Sequence, residues 1–374
     1  MANYKAKGEE LADEVRDWAV LPTDILNLII SRLYFPAEIS RFHGVCTAWK
    51  SVPAPLVRSQ WLMSKPPIGT RLNFFHPLYC KPYSMEIPEL EFAKVRFSKD
   101  GWLLMSDGDI NFFYNPFTRA KVELPNLPQG YNGLFKNNRF KMMTFTAPPT
   151  SSDCAVFGVN SLFDEVICIS TIVRGEGSWK ICRFQNNVPM FPSPCSPVIC
   201  NGLLYCLGRD GKLGVFDREE GKWTVLDKPE KAPFNSVYEN FLMECEGDIM
   251  SVFVGTEGFK RCAKVSVCRL DRLKMEWQEI KELGDKMLFL SDSTCLSATS
   301  HIPGMENKIY FPVLPRLHGR YGVFYTLATG MHQTFGIDFW STDLGDTREL
   351  LNCSWIEPRD GTYSETQLDW LKNP

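Results

Sequence analysis

An internal repeat is the feature that most constrains how this chain of 374 residues can fold. Residues 101–128, GWLLMSDGDINFFYNPFTRAKVELPNLP, follow the same scheme as residues 201–229, NGLLYCLGRDGKLGVFDREEGKWTVLDKP. In both, a glycine precedes an apolar strand, a turn, a second strand, a polar turn and a third strand that ends at proline. The later half returns at 309–335, IYFPVLPRLHGRYGVFYTLATGMHQTF. Such a unit is a small sheet that needs neighbouring copies to cover its apolar faces.

The repeat has a period near 50 residues. The position before the last strand of each unit is occupied, 44 to 59 residues apart, by Ala120, Trp179, Trp223, Trp277 and Met331. This period with three or four short strands is typical of a kelch-type β-propeller. The sequence therefore predicts a mainly β protein with a propeller over residues 70–358 of six blades, with seven as the alternative. We interpret the repeated tryptophans as packing between blades, and SWIEP (354–358) as a strand that returns to close the ring.

A different pattern occupies the N-terminal part. Residues 1–17 are predicted to be a flexible tail, and 18–60 a helical module. Ile25, Leu26, Ile29 and Leu33 recur at helical spacing, Pro36 can open a second helix, and VCTAWKSV supplies a short third one. This segment is too short to bury its own apolar faces, so it is suited to completing its core against another protein. Residues 359–374 are expected to form a C-terminal tail.

Composition narrows the possible partners. A formal net charge of −3 gives no reason to expect nucleic acid, and no apolar run approaches the roughly 18 residues that span a membrane. The 13 cysteines form no CxxC pair, and the five histidines lack zinc-ligand spacing. We therefore expect reduced thiols, no metal and no cofactor, and a location in the cytoplasm, the nucleus or both.

Propellers can be enzymes, and an enzyme would carry a catalytic motif. The sequence contains no P-loop and no GxSxG nucleophile elbow. Its acidic residues fall mostly in turns, where a carboxylate bonds to its own backbone. We expect no catalytic residue and a non-catalytic protein. The alternative, an enzyme acting on carbohydrates or metabolites, would need convergent carboxylates in a central pocket.

The N-terminal module resembles an F-box. The resemblance is carried, in order, by Leu21, Pro22, Asp24, Ile25, Leu26, Ile29, Leu33, Glu38, Ile39, Arg41, Phe42, Val45, Cys46 and Trp49. The remainder resembles a plant family in which an F-box precedes a kelch-like propeller. The segments that carry this second resemblance are 101–128, LGDKMLFLSDSTCLSATSHIPGMENKIYF and GVFYTLATG.

The resemblance implies a role in ubiquitin ligation. An F-box of this family docks a Skp-type adaptor, which joins it to a cullin scaffold and a RING protein, and the propeller holds an unidentified target protein for ubiquitination. The residues that this assigns to adaptor binding are Leu21, Pro22, Ile25, Leu26, Ile29, Leu33, Ile39, Val45, Cys46 and Trp49. The alternative is a propeller that sequesters or inhibits a partner without ubiquitination.

Long insertions between strands are the predicted target-binding loops, because aromatic and arginine side chains are common anchors at protein interfaces. The candidate residues in these loops are Arg316, His318, Arg320, Phe339 and Trp340.

Overall fold

The chain divides into two units, Met1–Val57 and Arg58–Pro374. A computed structural model describes residues 18–33, 35–54, 59–66, 68–79, 82–128, 140, 142–162, 165–186, 188, 191–229, 232–234, 236–256, 264–313, 321–335, 353–359 and 361–372.

The first unit is helical. It begins with a single 3₁₀ turn at Trp18–Val20. Its α-helices are α1 (Thr23–Ile30), α2 (Pro36–His43) and α3 (Thr47–Lys50). Pro36 occupies the first turn of α2, where its missing N–H costs no hydrogen bond.

The second unit is a β-propeller, and in the part of it that the structure describes the strands form six sheets. Blade 1 contains β1 (Trp61–Ser64), β2 (Arg71–Phe75) and β3 (Pro82–Glu86). Blade 2 contains β4 (Lys94–Lys99), β5 (Trp102–Asp107), β6 (Ile110–Tyr114) and β7 (Lys121–Glu123). Blade 3 contains β8 (Met142–Phe145), β9 (Ala155–Leu162), β10 (Val166–Val173) and β11 (Lys180–Gln185).

The later blades follow the same antiparallel plan until the last. Blade 4 contains β12 (Val198–Cys200), β13 (Leu203–Leu207), β14 (Leu213–Asp217) and β15 (Lys222–Val225). Blade 5 contains β16 (Ser236–Cys245), β17 (Asp248–Thr256), β18 (Lys264–Asp271) and β19 (Glu276–Ile280). Blade 6 contains β20 (Lys286–Ser291), β21 (Thr294–Thr299), β22 (Lys308–Val313), β23 (Tyr321–Thr326) and β24 (Met331–Thr334). The predicted mainly β fold with six blades is confirmed.

Tight hairpins join the innermost strand of a blade to the second one. In blades 2 and 4 the two loop residues are Asp100 with Gly101 and Asn201 with Gly202, and all four have positive φ, between 50° and 79°. Two successive residues with positive φ form the hairpin turn whose twist matches that of the flanking strands. Glycine favours the second position because it has no Cβ to clash there. The repeated glycine in the sequence marks this turn.

The ring is closed by a strand from far along the chain. Strand β25 (Cys353–Ile356) pairs antiparallel with β1, and Leu62 lies opposite Trp355. The indole of Trp355 is fully buried, and its Nε1 donates to the carbonyl of Leu290 at 3.1 Å. The predicted returning strand is therefore present. The first blade begins with Trp61 rather than near residue 70.

Blade 6 has five described strands rather than four, because the β20–β21 hairpin is added at its inner edge, with β20 parallel to β22. The turn of this hairpin reaches other blades. The Ser98 N–H donates to the Ser293 carbonyl at 3.1 Å, and the Ser196 hydroxyl donates to the Asp292 carbonyl at 3.2 Å. The Thr294 hydroxyl donates to the Trp355 carbonyl at 3.3 Å. One turn thus links blade 6 to blades 1 and 2 and to the segment that leads into blade 4.

The repeated tryptophans pack between blades as interpreted. Trp223 packs against the apolar cluster that blades 3 and 4 share. Nε1 of Trp179 in blade 3 donates to the Pro125 carbonyl after blade 2 at 2.7 Å. Nε1 of Trp277 in blade 5 donates to the Gly211 carbonyl of blade 4 at 2.8 Å. Met331, the corresponding position of blade 6, is 58% exposed.

Residues 361–372, here called the C-terminal strap, pack against the propeller. They include α4 (Glu365–Leu368), whose first turn is closed by reciprocal bonds between Ser364 and Gln367. Trp370 is only 2% exposed and joins the apolar cluster between blades 2 and 3. The described part of the expected C-terminal tail is therefore a packed element.

Candidate functional site

The helical unit has a very small core of its own. Four buried side chains from three parts of the segment form it: Leu26, Ile30, Phe42 and Val52. A tilted contact between the rings of Phe42 and Trp49, with centroids 4.6 Å apart, closes one side. Nε1 of Trp49 also donates to the Trp18 carbonyl at 2.9 Å, which fixes the 3₁₀ turn beside α3. This core leaves much apolar surface uncovered.

Apolar side chains crowd the outside of the same unit. Five of them are between 43% and 74% exposed: Trp18, Val20, Ile25, Leu28 and Val45. Ile25 and Leu28 are three positions apart on α1, so they lie on the same face of the helix. Several large apolar side chains left exposed on so small a unit favour an interaction site. We call this set the exposed apolar face.

The structure divides the ten predicted adaptor-binding residues into three groups. Pro22, Ile25 and Val45 are exposed. Half-buried positions are held by Leu21, Ile29, Leu33, Ile39, Cys46 and Trp49. Leu26 is only 2% exposed and belongs to the internal core, so it supports the surface from beneath.

Sequence reasoning missed Trp18, Val20 and Leu28 as surface residues. Leu28 carried a usable signal, since it follows Ile25 by three positions and therefore lies on the same side of the helix. Trp18 and Val20 precede the first helix, where no periodicity exists to show their side.

The predicted target-binding residues Arg316, His318, Arg320, Phe339 and Trp340 all lie outside the described residues.

Two carboxylates meet near the propeller axis. Glu239, beside a β-bulge in β16, and Asp292, in the β20–β21 turn, line a pocket of about 40 Å³ together with Arg209. Burial raises the pKa of Glu239 to about 7, and the Asp292 carboxylate adds to the rise. Asp292 faces water, yet the surrounding protein atoms raise its pKa as well. This volume holds a few water molecules, whereas small-molecule sites measure roughly 300–1,000 Å³.

The described cysteines are free thiols, and most are buried. Burial raises the pKa of Cys154 to about 12 and that of Cys195 to about 11. A raised pKa keeps the thiol protonated and unreactive near neutral pH. Within the described ranges, no cluster of three or more His, Cys, Asp or Glu side chains could hold a metal ion. Nor does that part of the chain include a helix with the length and apolarity needed to cross a membrane.

A helical module with exposed apolar side chains, followed by a six-bladed propeller, defines a class of two-part proteins. Comparison with known proteins identifies the class. The family model for the KIB1-4 β-propeller matches residues 74–325. The F-box/kelch-repeat protein At1g57790 of Arabidopsis thaliana is 30% identical over 92% of this chain and 96% of its own length. The F-box protein At3g56470 of the same plant is 32% identical over 72% of this chain and 71% of its own. The chain belongs to the KIB1-4 β-propeller family of F-box/kelch-repeat proteins.

Solved structures are more distant. YCF48 bound to D1 peptide aligns with a TM-score of 0.35 at 12% identity, over 59% of this chain and 62% of that chain. The N-terminal part of BBS1 in complex with ARL6 aligns with a TM-score of 0.34 at 11% identity, over 75% and 78%. Likeness at this level supports no inference about function.

Proposed function

We propose that this protein is the substrate-recognition subunit of an SCF-type ubiquitin ligase. Its helical unit docks a Skp-type adaptor, which connects it to a cullin and a RING protein, and its propeller binds the target. The chain itself performs no bond chemistry in this role. The observation that carries the proposal is the exposed apolar face on a unit whose described core is a small cluster around Leu26, Ile30, Phe42 and Val52.

The physical argument is one of uncovered surface. Burying an apolar side chain gains roughly 1.5–3 kcal/mol, and the exposed apolar face has five side chains from which a partner can draw this energy. A few desolvated anchors of this kind dominate the affinity of most protein interfaces. A family in which relatives are named F-box proteins supports the adaptor as that partner.

Mutation of exposed anchors tests the adaptor contact. We expect Ile25→Ala combined with Leu28→Ala to weaken adaptor binding roughly 100-fold, because two anchors worth about 1–2 kcal/mol each are lost. Alanine preserves the helix, so the fold should stay intact. The measurement is the dissociation constant for a purified Skp-type adaptor, with helicity checked by circular dichroism.

Asn27→Ala is the matched control, since Asn27 is an exposed polar residue of the same helix. It should bind the adaptor like the wild type. Equal affinity of the double variant and the wild type would refute docking through this face.

A further inference from the structure

A groove between blades 4 and 5 opens to solvent and encloses a cavity of about 470 Å³. One wall is a single face of the blade 4 sheet. Tyr205, Val215 and Thr224 lie opposite one another across β13, β14 and β15 and form its inner row. The outer row, formed in the same way, is Leu203, Asp217 and Lys222.

Blade 5 supplies the other wall. Ile249 and Leu270 are buried at its base, and Met275 covers one side. Arg272 stands at the rim of the groove. The groove is thus apolar inside, with charged groups at its mouth.

The same face is covered in blade 2. The Asp100–Gly101 hairpin corresponds to Asn201–Gly202, so Trp102 and Leu104 correspond to Leu203 and Tyr205. The side chain of Asn115 closes the next turn by accepting two backbone N–H bonds, as that of Asp217 does in blade 4. Asn115 therefore corresponds to Asp217, and Phe113 and Val215, which lie two residues before them, also correspond. In blade 2 these side chains are at most 1% exposed.

The C-terminal strap provides that cover. The ring of Tyr363 lies 5.3 Å from that of Trp102, and the ring of Trp370 lies 6.1 Å from that of Phe113. The structure therefore shows what occupies this face where it is filled, namely a short peptide segment that inserts aromatic side chains. In blade 4 the corresponding residues Leu203, Tyr205 and Val215 stay half-buried, and nothing in the described chain covers them.

Two cations at the mouth distinguish the open groove. In blade 3, Lys180 begins the outermost strand and pairs with Glu176 at 3.4 Å. Lys222 begins the outermost strand of blade 4 and has no ion pair within the described residues. Arg272 donates to two neutral acceptors, the Gly247 carbonyl and the Cys200 sulfur, the latter at 3.1 Å. When the side-chain amide of Asn201 is turned so that its oxygen faces Arg272, Oδ1 accepts a third bond at 2.6 Å. Among the described residues Arg272 has no carboxylate partner.

One acid shares the groove. An oxygen of Asp217 already accepts the N–H groups of Glu219 and Glu220, which close the β14–β15 turn. The charged side chains that line the groove therefore total two cations and one anion, which leaves a net charge of +1. This arrangement is complementary to an occupant that carries carboxylates.

We propose that this groove binds an extended segment of a partner protein, which inserts an aromatic or aliphatic side chain between blades 4 and 5 and places acidic side chains against Lys222 and Arg272. The inference rests on the proposed function, because the partner is then the target protein. Main-chain contacts and a few buried anchors carry affinity in such peptide complexes.

The probe is a peptide with the sequence of residues 364–371, SETQLDWL, acetylated, amidated and carrying benzoyl-phenylalanine in place of the tryptophan. It is acidic and aromatic, and in the full-length protein its own site is already filled by the strap. We expect photo-cross-links to groove residues, Met275 foremost among them. Cross-links confined to blades 2 and 3, or elsewhere, would overturn the proposal.

Two variants with changes at exposed positions test the contacts. Lys222→Glu should weaken binding of a fluorescein-labelled form of the peptide at least tenfold, and Thr224→Trp, which fills the groove, should abolish it. Lys180→Glu is the matched control and should bind normally. Equal peptide affinity in Lys222→Glu and Lys180→Glu would refute the role of the charge.

The same variants separate this inference from the proposed function. All of them should capture the Skp-type adaptor like the wild type, because the helical unit is unchanged. Loss of peptide binding with intact adaptor capture supports the groove. If the wild type failed to capture the adaptor, the proposed function would fail while the cross-linking result still decided the groove.

Discussion

Glu239 is the side chain whose ionisation most opposes folding among the described carboxyl groups. It lies near the axis beside Asp292, and burial raises its pKa to about 7. In the unfolded chain a glutamate ionises near pH 4.3. Between these values the folded protein holds a proton that the unfolded chain has lost, so the free energy of unfolding falls as the pH rises.

Replacement of the Glu239 carboxyl group should remove this fall in the free energy of unfolding at high pH. We expect Glu239→Gln to be more stable than the wild type at pH 8, by on the order of 2 kcal/mol, and equal to it near pH 4. Denaturant unfolding curves at both pH values measure the difference. Glu219→Gln, in an exposed turn, should show no such gain, and a gain at pH 4 as large as at pH 8 would contradict the explanation.

At the same scale, sequence could identify the apolar residues of the helical unit but not their orientation. Leu26 and Ile25 are neighbours in one pattern, yet Leu26 is internal and Ile25 is exposed. A stripe used partly for a core and partly for a surface has the same periodicity as one used for a core alone. The division depends on where α2 and α3 place Phe42 and Val52.

At the scale of elements, the C-terminal strap is held by an unusual number of bonds to one side chain. The guanidinium of Arg174 donates to the carbonyls of Gln367 at 2.9 Å and Asp369 at 2.7 Å, and also to Pro149, Thr366 and Lys372. Bonds from a charged donor are about twice as strong as neutral ones. The Trp370 indole adds a bond to the Glu176 carbonyl at 3.2 Å.

Truncation of the buried ring should release this element. We expect Trp370→Ala to cost about 3–5 kcal/mol of unfolding free energy, since it leaves a cavity between blades 2 and 3. Chemical unfolding measures the loss, and limited proteolysis should show faster cleavage within the strap. Leu371→Ala, at an exposed neighbour, should cost less than about 0.5 kcal/mol. Equal losses in the two variants would mean that the strap contributes no packing.

Sequence predicted the repeated hairpins well because turn and strand signals are local. It did not predict the strap, since Trp370 and Tyr363 stand in a polar context with no periodicity. Their partners, Phe113 and Trp102, are about 260 residues away, a separation at which single-sequence patterns carry no information about contact.

At the scale of the whole molecule, the number of blades could be predicted because the repeat period, divided into the length of the repeating region, gives the number of units. The extra β20–β21 hairpin could not, since it uses the same alternating pattern as any other hairpin. Its placement at the inner edge depends on contacts with Ser98, Ser196 and Trp355, which lie far from it in the sequence.

Ring closure should make the blades cooperative. We expect Trp355→Ala to cost about 3–5 kcal/mol and to raise amide hydrogen exchange in β1 and β20 together, because its ring and backbone join these strands. Met331→Ala, at an exposed site in blade 6, should change neither. Faster exchange in β20 alone would mean that closure does not couple the two blades.

Ring closure also depends on the order in which the strands are synthesised. Leu62 cannot pair with Trp355 until the ribosome has added the 293 residues that separate them, a delay of roughly 15–60 s at typical elongation rates. During that time strand β1 has a bare edge, of the kind that invites pairing with other chains. A chain that ends before β25 therefore leaves the first blade with three strands and an unpaired β1 edge.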